Sequence, residues 1–215
     1  MLQFLKIVLL LSSIIIIASC KINAYSHKTC EKITETKNLF VPVNSENTTL
    51  KYNTSIDVLK NHLTGILLVK QTDSITKHLV FVTELGMKMF DFEIKNNNIT
   101  TSYIFEPLNK PQFIKALKFN LNNMLHLTDL GTDICKFNNK SFTVFSNTKS
   151  NIKYFYSVTK TDELYKLETF KNKKRNSVIN YTYDSNTKSY SNIYCKQFGF
   201  IKFRFNLSEI LQNQP

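Results

Sequence analysis

Leu79-Val80-Phe81-Val82-Thr83-Glu84-Leu85-Gly86-Met87-Lys88-Met89-Phe90-Asp91-Phe92-Glu93-Ile94 reads as two strands joined by a tight turn. Leu79 to Val82 is apolar and β-branched, as strand residues tend to be. Leu85-Gly86 supplies the turn. From Lys88 the period becomes two, so Phe90, Phe92 and Ile94 fall on one side and Asp91 and Glu93 on the other. That alternation is what a sheet with one buried face requires.

The pattern extends in both directions. Upstream, Leu50 to Leu59 alternates loosely, and Leu63 with Gly65-Ile66-Leu67-Leu68-Val69 forms an apolar run expected to be a strand buried on both faces. Gln71 to Ser74 is a turn. Downstream, Asn96-Asn97-Asn98 is a turn signal and Ile99 to Phe105 another strand. The period then changes. Phe113, Ile114, Leu117, Leu121, Met124 and Leu125 recur at helical spacing, with Lys115 and Lys118 on a polar face. Pro111 suits a first helical turn and Asn109 is a candidate cap. Strands resume after Gly131: Phe142–Phe145, Ile152–Val158, Leu164–Phe170, Val178–Tyr183 and Tyr190–Cys195. Last comes the clean alternation of Ile201, Phe203, Phe205 and Leu207 with Lys202, Arg204 and Asn206. About ten antiparallel strands and one central helix predict a strongly curved sheet, or half-barrel, enclosing a helix.

The N-terminus is of another kind. Lys6 precedes a dense apolar run, Ile7 to Ala18, that ends in Ile17-Ala18-Ser19-Cys20. This is the layout of a secretory signal, and it is short for a membrane span of about 20 apolar residues. Ile17-Ala18-Ser19-Cys20 resembles the bacterial lipobox. The resemblance implies cleavage before Cys20, lipidation of its sulfur (palmitate-like chains) and anchorage by about three acyl chains, a lasting attachment. Lys21 in place of Asp leans towards the outer membrane of a Gram-negative envelope. The absence of an acidic cluster after it favours the periplasmic face. The expected organisation is a signal peptide at 1–19, a lipidated tether at 20–48 with room for one docked segment, and a folded domain at 49–215.

Removing nineteen residues from 215 leaves 196, enough for one domain with a real core. Lys and Arg total 28 against 16 Asp and Glu. An exported chain makes nucleic acid an unexpected partner for that charge. The run Lys171-Asn172-Lys173-Lys174-Arg175 reads as a solvated hairpin turn, with lipid headgroups as the alternative partner. Beyond Cys20 there remain Cys30, Cys135 and Cys195, so at most one internal disulfide is expected, of open pairing. His27, His62, His78 and His126 show no metal-ligand spacing. No nucleophile elbow, carboxylate pair or glycine-rich phosphate loop is present, and the expectation is a non-enzyme without metal or cofactor.

A lipobox, a strand meander, an aliphatic-Gly turn, an inserted helix and further strands, taken in that order, resemble the LolA/LolB lipoprotein-carrier superfamily. The likeness is greatest to its lipid-anchored LolB branch, and it runs from about Leu59 to Leu207. Its best local pieces are Val82-Thr83-Glu84-Leu85-Gly86-Met87 and the stretch from Tyr165-Lys166-Leu167-Glu168 through Tyr181-Thr182-Tyr183 to the last strand. The chain departs from the family in having Glu84 where Pro commonly stands, and in lacking Trp.

The resemblance implies a protruding membrane-insertion loop at Leu85, Gly86 and Met87. It also implies an apolar cavity for acyl chains, drawn from Phe81, Phe90, Phe92, Leu117, Leu121, Tyr154, Tyr156, Phe203 and Phe205, residues that would otherwise pack a filled core. The implied job is to receive lipoproteins from a soluble periplasmic carrier, shield their acyl chains as a chaperone does, and insert them into the outer membrane, acting as a monomer. The alternatives are a binding module for another lipid or glycolipid, and a structural lipoprotein scaffolding an envelope complex.

Overall fold

The computed structural model describes residues 30–33, 49–58, 61–73, 76–96, 98–127, 134–138, 141–199 and 201–211. The signal segment, Cys20, most of the tether and Gly131 lie outside the described residues.

Among the described residues there are thirteen strands and one α-helix. The first meander holds β2 (Thr49–Val58), β3 (Asn61–Gln71), β4 (Thr76–Thr83), β5 (Lys88–Lys95) and β6 (Asn98–Ile104). A 3-10 turn, Glu106–Leu108, leads into α1 (Pro111–Leu125). The second meander holds β7 (Ile134–Asn138), β8 (Thr143–Lys149), β9 (Ile152–Val158), β10 (Leu164–Lys171), β11 (Lys174–Asp184), β12 (Ser189–Gln197) and β13 (Phe203–Glu209). β1 (Glu31–Ile33), a short segment within the predicted tether, pairs with β7. Every pairing is antiparallel, and the sheet order is β1-β7-β8-β9-β10-β11-β12-β13-β2-β3-β4-β5-β6. The two meanders meet where β13 pairs with β2, with Phe205 opposite Ile56 and Phe203 opposite Val58.

The sheet is curved and unclosed, and the curvature follows from its contacts with α1. Lys118 of the helix reaches Ile99 on β6 and Phe92 on β5, while His126 at its end reaches Tyr156 on β9. β5 and β9 are eight strand spacings apart, about 38 Å on a flat sheet at ~4.8 Å each. A helix of 15 residues is only about 22 Å long. One helix therefore touches both strands only if the sheet wraps around it.

The run Gly65–Val69 is not buried on both faces. Gly65, Leu67 and Val69 are buried, whereas Ile66 is 41% exposed. An antiparallel sheet with a helix on one side leaves its other side to solvent, so apolar residues occupy both positions without both being covered. Ile201 lies outside β13, which starts at Phe203. The Lys171–Arg175 run does form a hairpin, and Asn172 and Lys173 both have positive φ, the geometry of a type I′ turn.

Two details of α1 differ from expectation. Pro111 opens the helix, but its N-cap is Lys110 and no side chain caps it; Asn109 instead ends the preceding 3-10 turn. Lys118 leaves the polar face, donating its Nζ to the Ile99 carbonyl at 2.8 Å, with its ammonium 5.3 Å from the Phe92 ring centre. Burial pushes its pKa down. Cys30 and Cys135 are disulfide-bonded, and Cys195 is free and buried.

Candidate functional site

The turn between β4 and β5 is a short, well-bonded hairpin. Gly86 N–H donates to the Thr83 carbonyl at 2.9 Å, Thr83 N–H to the Met87 carbonyl at 2.9 Å, and Met87 N–H to Thr83 Oγ1 at 3.2 Å. Gly86 has φ +79°, a conformation that glycine adopts without a Cβ penalty. This geometry leaves Leu85 nowhere to tuck, and its side chain is 93% exposed; Met87 is 48% exposed. One residue into β5 the register shifts, so Met89 is an extra residue opposite the Phe81–Val82 step and is buried beside Phe90.

The nine residues singled out as lining for acyl chains come together, but as packed side chains. Phe81, Phe90, Phe92, Leu117, Leu121, Tyr156, Phe203 and Phe205 belong to one buried cluster, with Tyr154 partly buried against it. Phe90 stacks on Phe92 with ring centres 4.9 Å apart, Phe81 lies 5.4 Å from Phe90, and Phe203 lies 5.5 Å from Phe205. Phe113 of α1 covers Phe203 at 5.2 Å. The helix fills the hollow of the sheet.

An apolar cleft of about 500 Å³ opens beside this core, where α1 begins. Val58, Pro107, Leu108, Pro111, Phe113 and Ile201 line it, with Asn61, Lys110 and Gln112 alongside. Its size falls in the range of ligand pockets, about 300–1,000 Å³. The register places the Leu85 hairpin at the same end of the sheet: Thr83 is opposite Gly65, β3 starts four residues before Gly65 at Asn61, and Asn61 is opposite Val58. The β12–β13 turn also lies there, because Phe203 is opposite Val58 and Gln197. The cleft was not anticipated from sequence. Its signal was Pro107-Leu108 followed by Pro111, an apolar and rigid entry to a helix.

A second cleft of about 210 Å³, of mixed lining, lies at the other end of α1, bounded by Phe119, Asn122, Asn123, His126, Tyr154, Tyr156, Leu167 and residues of the β8–β9 hairpin. His126 caps the helix in the left-handed conformation, φ +48°. Its Nε2 is 3.2 Å from the Tyr181 hydroxyl, which itself donates to the Asn123 carbonyl at 3.0 Å. Burial lowers the His126 pKa to about 3, so the imidazole is neutral at neutral pH. Burial also pushes the Tyr156 and Tyr181 hydroxyls up, leaving both protonated. Asn120, fully buried on the same helix, donates to the Ala116 carbonyl at 2.8 Å and to Gln197 Oε1, and accepts from Cys195 Sγ at 3.5 Å. Among the described residues no group of three His, Cys, Asp or Glu side chains is placed to hold a metal ion.

No protein-family model matches the chain, and no curated protein matches it by sequence. Among solved structures it is similar to a LolA superfamily protein from Nitrosomonas europaea, at 8% identity over 83% of this chain and 90% of that one, with a TM-score of 0.47. It is also similar to a domain from Vibrio parahaemolyticus provisionally named for outer-membrane lipoprotein sorting, at 8% identity over 77% and 85% of the two chains, TM-score 0.43. A DUF1329 family protein from Desulfovibrio piger shows 10% identity over 78% and 85%, TM-score 0.39. All three scores lie below 0.5, and the functional reading rests on the geometry of this chain.

Proposed function

We propose that this protein is a lipid-anchored receptor of the outer membrane, held by Cys20. On this reading it receives lipoproteins from a soluble periplasmic carrier and passes their acyl chains into the membrane. The observation that carries the reading is Leu85, 93% exposed at the tip of a tightly bonded hairpin, at the same end of the sheet as the apolar cleft. An exposed Leu contributes nothing to folding. Entering a lipid surface, it gains about 2 kcal/mol, the transfer value of an aliphatic side chain. Acyl chains need cover during the transfer, because each exposed CH2 costs about 0.8 kcal/mol in water. The cleft beside Phe113 offers that cover, whereas eight of the nine residues are packed into one buried cluster.

The test uses protein without residues 1–19 and with Cys20→Ala, mixed with a lipoprotein bound to its soluble carrier. Wild-type sequence at the hairpin is expected to take up the cargo and deliver it to vesicles. Leu85→Glu should reduce delivery at least tenfold, the equivalent of 1.4 kcal/mol. Stability should stay within about 0.5 kcal/mol, since the side chain is on the surface. Undiminished delivery by the variant would overturn the role given to the loop.

The filled core favours a second reading, a scaffolding lipoprotein without cargo. That reading predicts no co-purified lipid by mass spectrometry and no uptake from the carrier.

A further inference from the structure

The β12–β13 turn lies at the same end of the sheet as the Leu85 hairpin, and beside it is an open hollow of about 440 Å³ lined by Lys196, Lys202, Arg204, Phe198 and Asp57 among others. Lys196 and Arg204 are directly opposite each other on β12 and β13, and all three cations are exposed. Like charges so placed oppose the folding of a sheet. The acid of the same row, Asp57 on β2, stands opposite Arg204 but has its Oδ1 2.5 Å from His62 Nδ1. Among the described residues none of the three cations forms an ion pair.

The turn that carries them is held in place. Gln197 Nε2 donates to the Ile201 carbonyl at 3.1 Å, and Gln197 Oε1 accepts from Asn120 of α1. Phe198 N–H donates to the Asn176 carbonyl at 2.8 Å, and the Lys196 ammonium lies 5.4 Å from the Phe198 ring centre. An anion in the hollow relieves the repulsion between Lys196 and Arg204. Phosphate suits it, since a guanidinium meets two of its oxygens at once.

The surroundings say what carries the phosphate. Asp57 is followed by Val58 and Lys202 is preceded by Ile201, and both apolar residues line the cleft at the start of α1. The basic hollow and the apolar cleft therefore share one rim of the sheet. Four of the five large apolar side chains exposed among the described residues, Ile66, Leu85, Met87 and Tyr103, gather on or beside the Leu85 hairpin. Ile66 is opposite Val82, and the Tyr103 ring centre is 5.3 Å from the Lys88 ammonium. The β10–β11 hairpin is at the same end, because Ser177 is opposite Gln197, and it adds exposed Lys171, Lys173 and Lys174. Against these stand exposed Glu84 and Glu106. An acidic peptide matches the cations and leaves the apolar tip unused. A lipid surface matches both. The excess of cations disfavours headgroups that carry their own ammonium and favours anionic ones.

We propose that Lys196, Lys202 and Arg204 bind the phosphate of an anionic phospholipid, so that this end of the sheet docks on a membrane. The inference rests on the reading of Leu85 as a membrane-inserting residue and adds the class of lipid; it requires no cargo.

Co-flotation with vesicles tests it, using residues 20–215 with Cys20→Ala; Glu31–Pro215 forms a compact unit by itself. The vesicles are phosphatidylcholine alone, or phosphatidylcholine with one-third phosphatidylglycerol. Each cation near an anionic surface tightens binding about fivefold. The unsubstituted domain should therefore bind the phosphatidylglycerol vesicles at least tenfold more tightly. Lys196→Gln/Arg204→Gln should reduce that preference at least tenfold and leave the melting temperature unchanged or raised, because the two cations repel each other. Lys70→Gln/Lys95→Gln removes two exposed cations from the opposite end of the strands and should keep the preference within twofold. Leu85→Glu should weaken binding to both kinds of vesicle, so failure of the inserting loop and failure of the phosphate site are separate results. Equal binding to both kinds by the unsubstituted domain would overturn the proposal and leave an acidic protein surface as the partner of these cations. Equal losses in the two double variants would overturn it too, by making the attraction one of net charge. Displacement from the vesicles by inorganic phosphate, at the same concentration as the lipid, would assign the hollow to free phosphate instead.

Discussion

Gly65 shows how one residue sets the geometry of the protruding hairpin. A Cβ built there would lie 2.0 Å from the Val82 carbonyl oxygen and 2.7 Å from the Thr83 Cα, both backbone atoms that cannot rotate away. Thr83 is the residue opposite Gly65, and it anchors the Leu85 turn through three hydrogen bonds. Gly65→Ala must therefore push β4 off β3 at the root of the hairpin. We expect a loss of about 2–3 kcal/mol, the usual cost of overpacking, measured as a lowered urea midpoint at unchanged slope. At this scale the sequence was partly legible. Gly86 was readable as a turn residue, since its φ of +79° is what a glycine before a new strand permits. Gly65, set in an apolar run, gave no sign of close backbone approach, because the neighbouring strand supplies the contact.

Helix α1 is the element on which both clefts depend. Its apolar stripe was legible from spacing, and Phe113, Leu117, Leu121, Met124 and Leu125 are all buried. Its buried asparagines were not read as a site. Asn120 and Asn123, three apart within that stripe, were the available signal, because polar residues at core positions need partners. The partner of the Asn120 side chain, Gln197, comes from a distant strand, so spacing within the helix could not name it. The C-terminal end of the helix should be sensitive to acid. The His126 pKa is lowered by burial to about 3, and its ring neighbours, Tyr156 and Tyr181, are neutral and offer no negative charge to an imidazolium. The unfolded chain binds a proton at His126 below about pH 6.5 and the folded one does not, so stability falls as pH drops from about 6.5 and levels off near 3. Between pH 7.5 and 5.0 the wild type should lose about 2 kcal/mol more than His126→Asn, a residue that tolerates the left-handed cap. Urea unfolding at the two pH values measures the difference, and parallel losses in both proteins would refute it.

At the scale of the whole molecule, the sheet exists because two meanders are joined by one long-range pairing. β2 and β13 lie at opposite ends of the folded domain in sequence, yet seven residues of each are in register. Phe205, fully buried, sits on that junction opposite Ile56 on one side and Cys195 on the other. Phe205→Ala should cost about 3–5 kcal/mol, as large core truncations do. It should also raise amide exchange in β2 and β13 together while leaving the β8–β9 hairpin protected. Exchange confined to β13 would show that the meanders are stable apart.

The sequence by itself determined the local structure: alternating strands, tight turns and a single helix with one apolar face. These follow from side-chain period and turn chemistry, which neighbours along the chain decide. Short strands with little pattern, Glu31–Ile33 and Ile134–Asn138, escaped that reading because three to five residues hold too few repeats to show a period. Only the tertiary structure decided that β13 closes onto β2, that the aromatic residues of the strands meet the helix as a filled core, and that a cleft opens at each end of that helix. Those outcomes depend on the curvature of the sheet and on contacts between residues far apart in the chain, and no local pattern encodes a distance across a folded sheet.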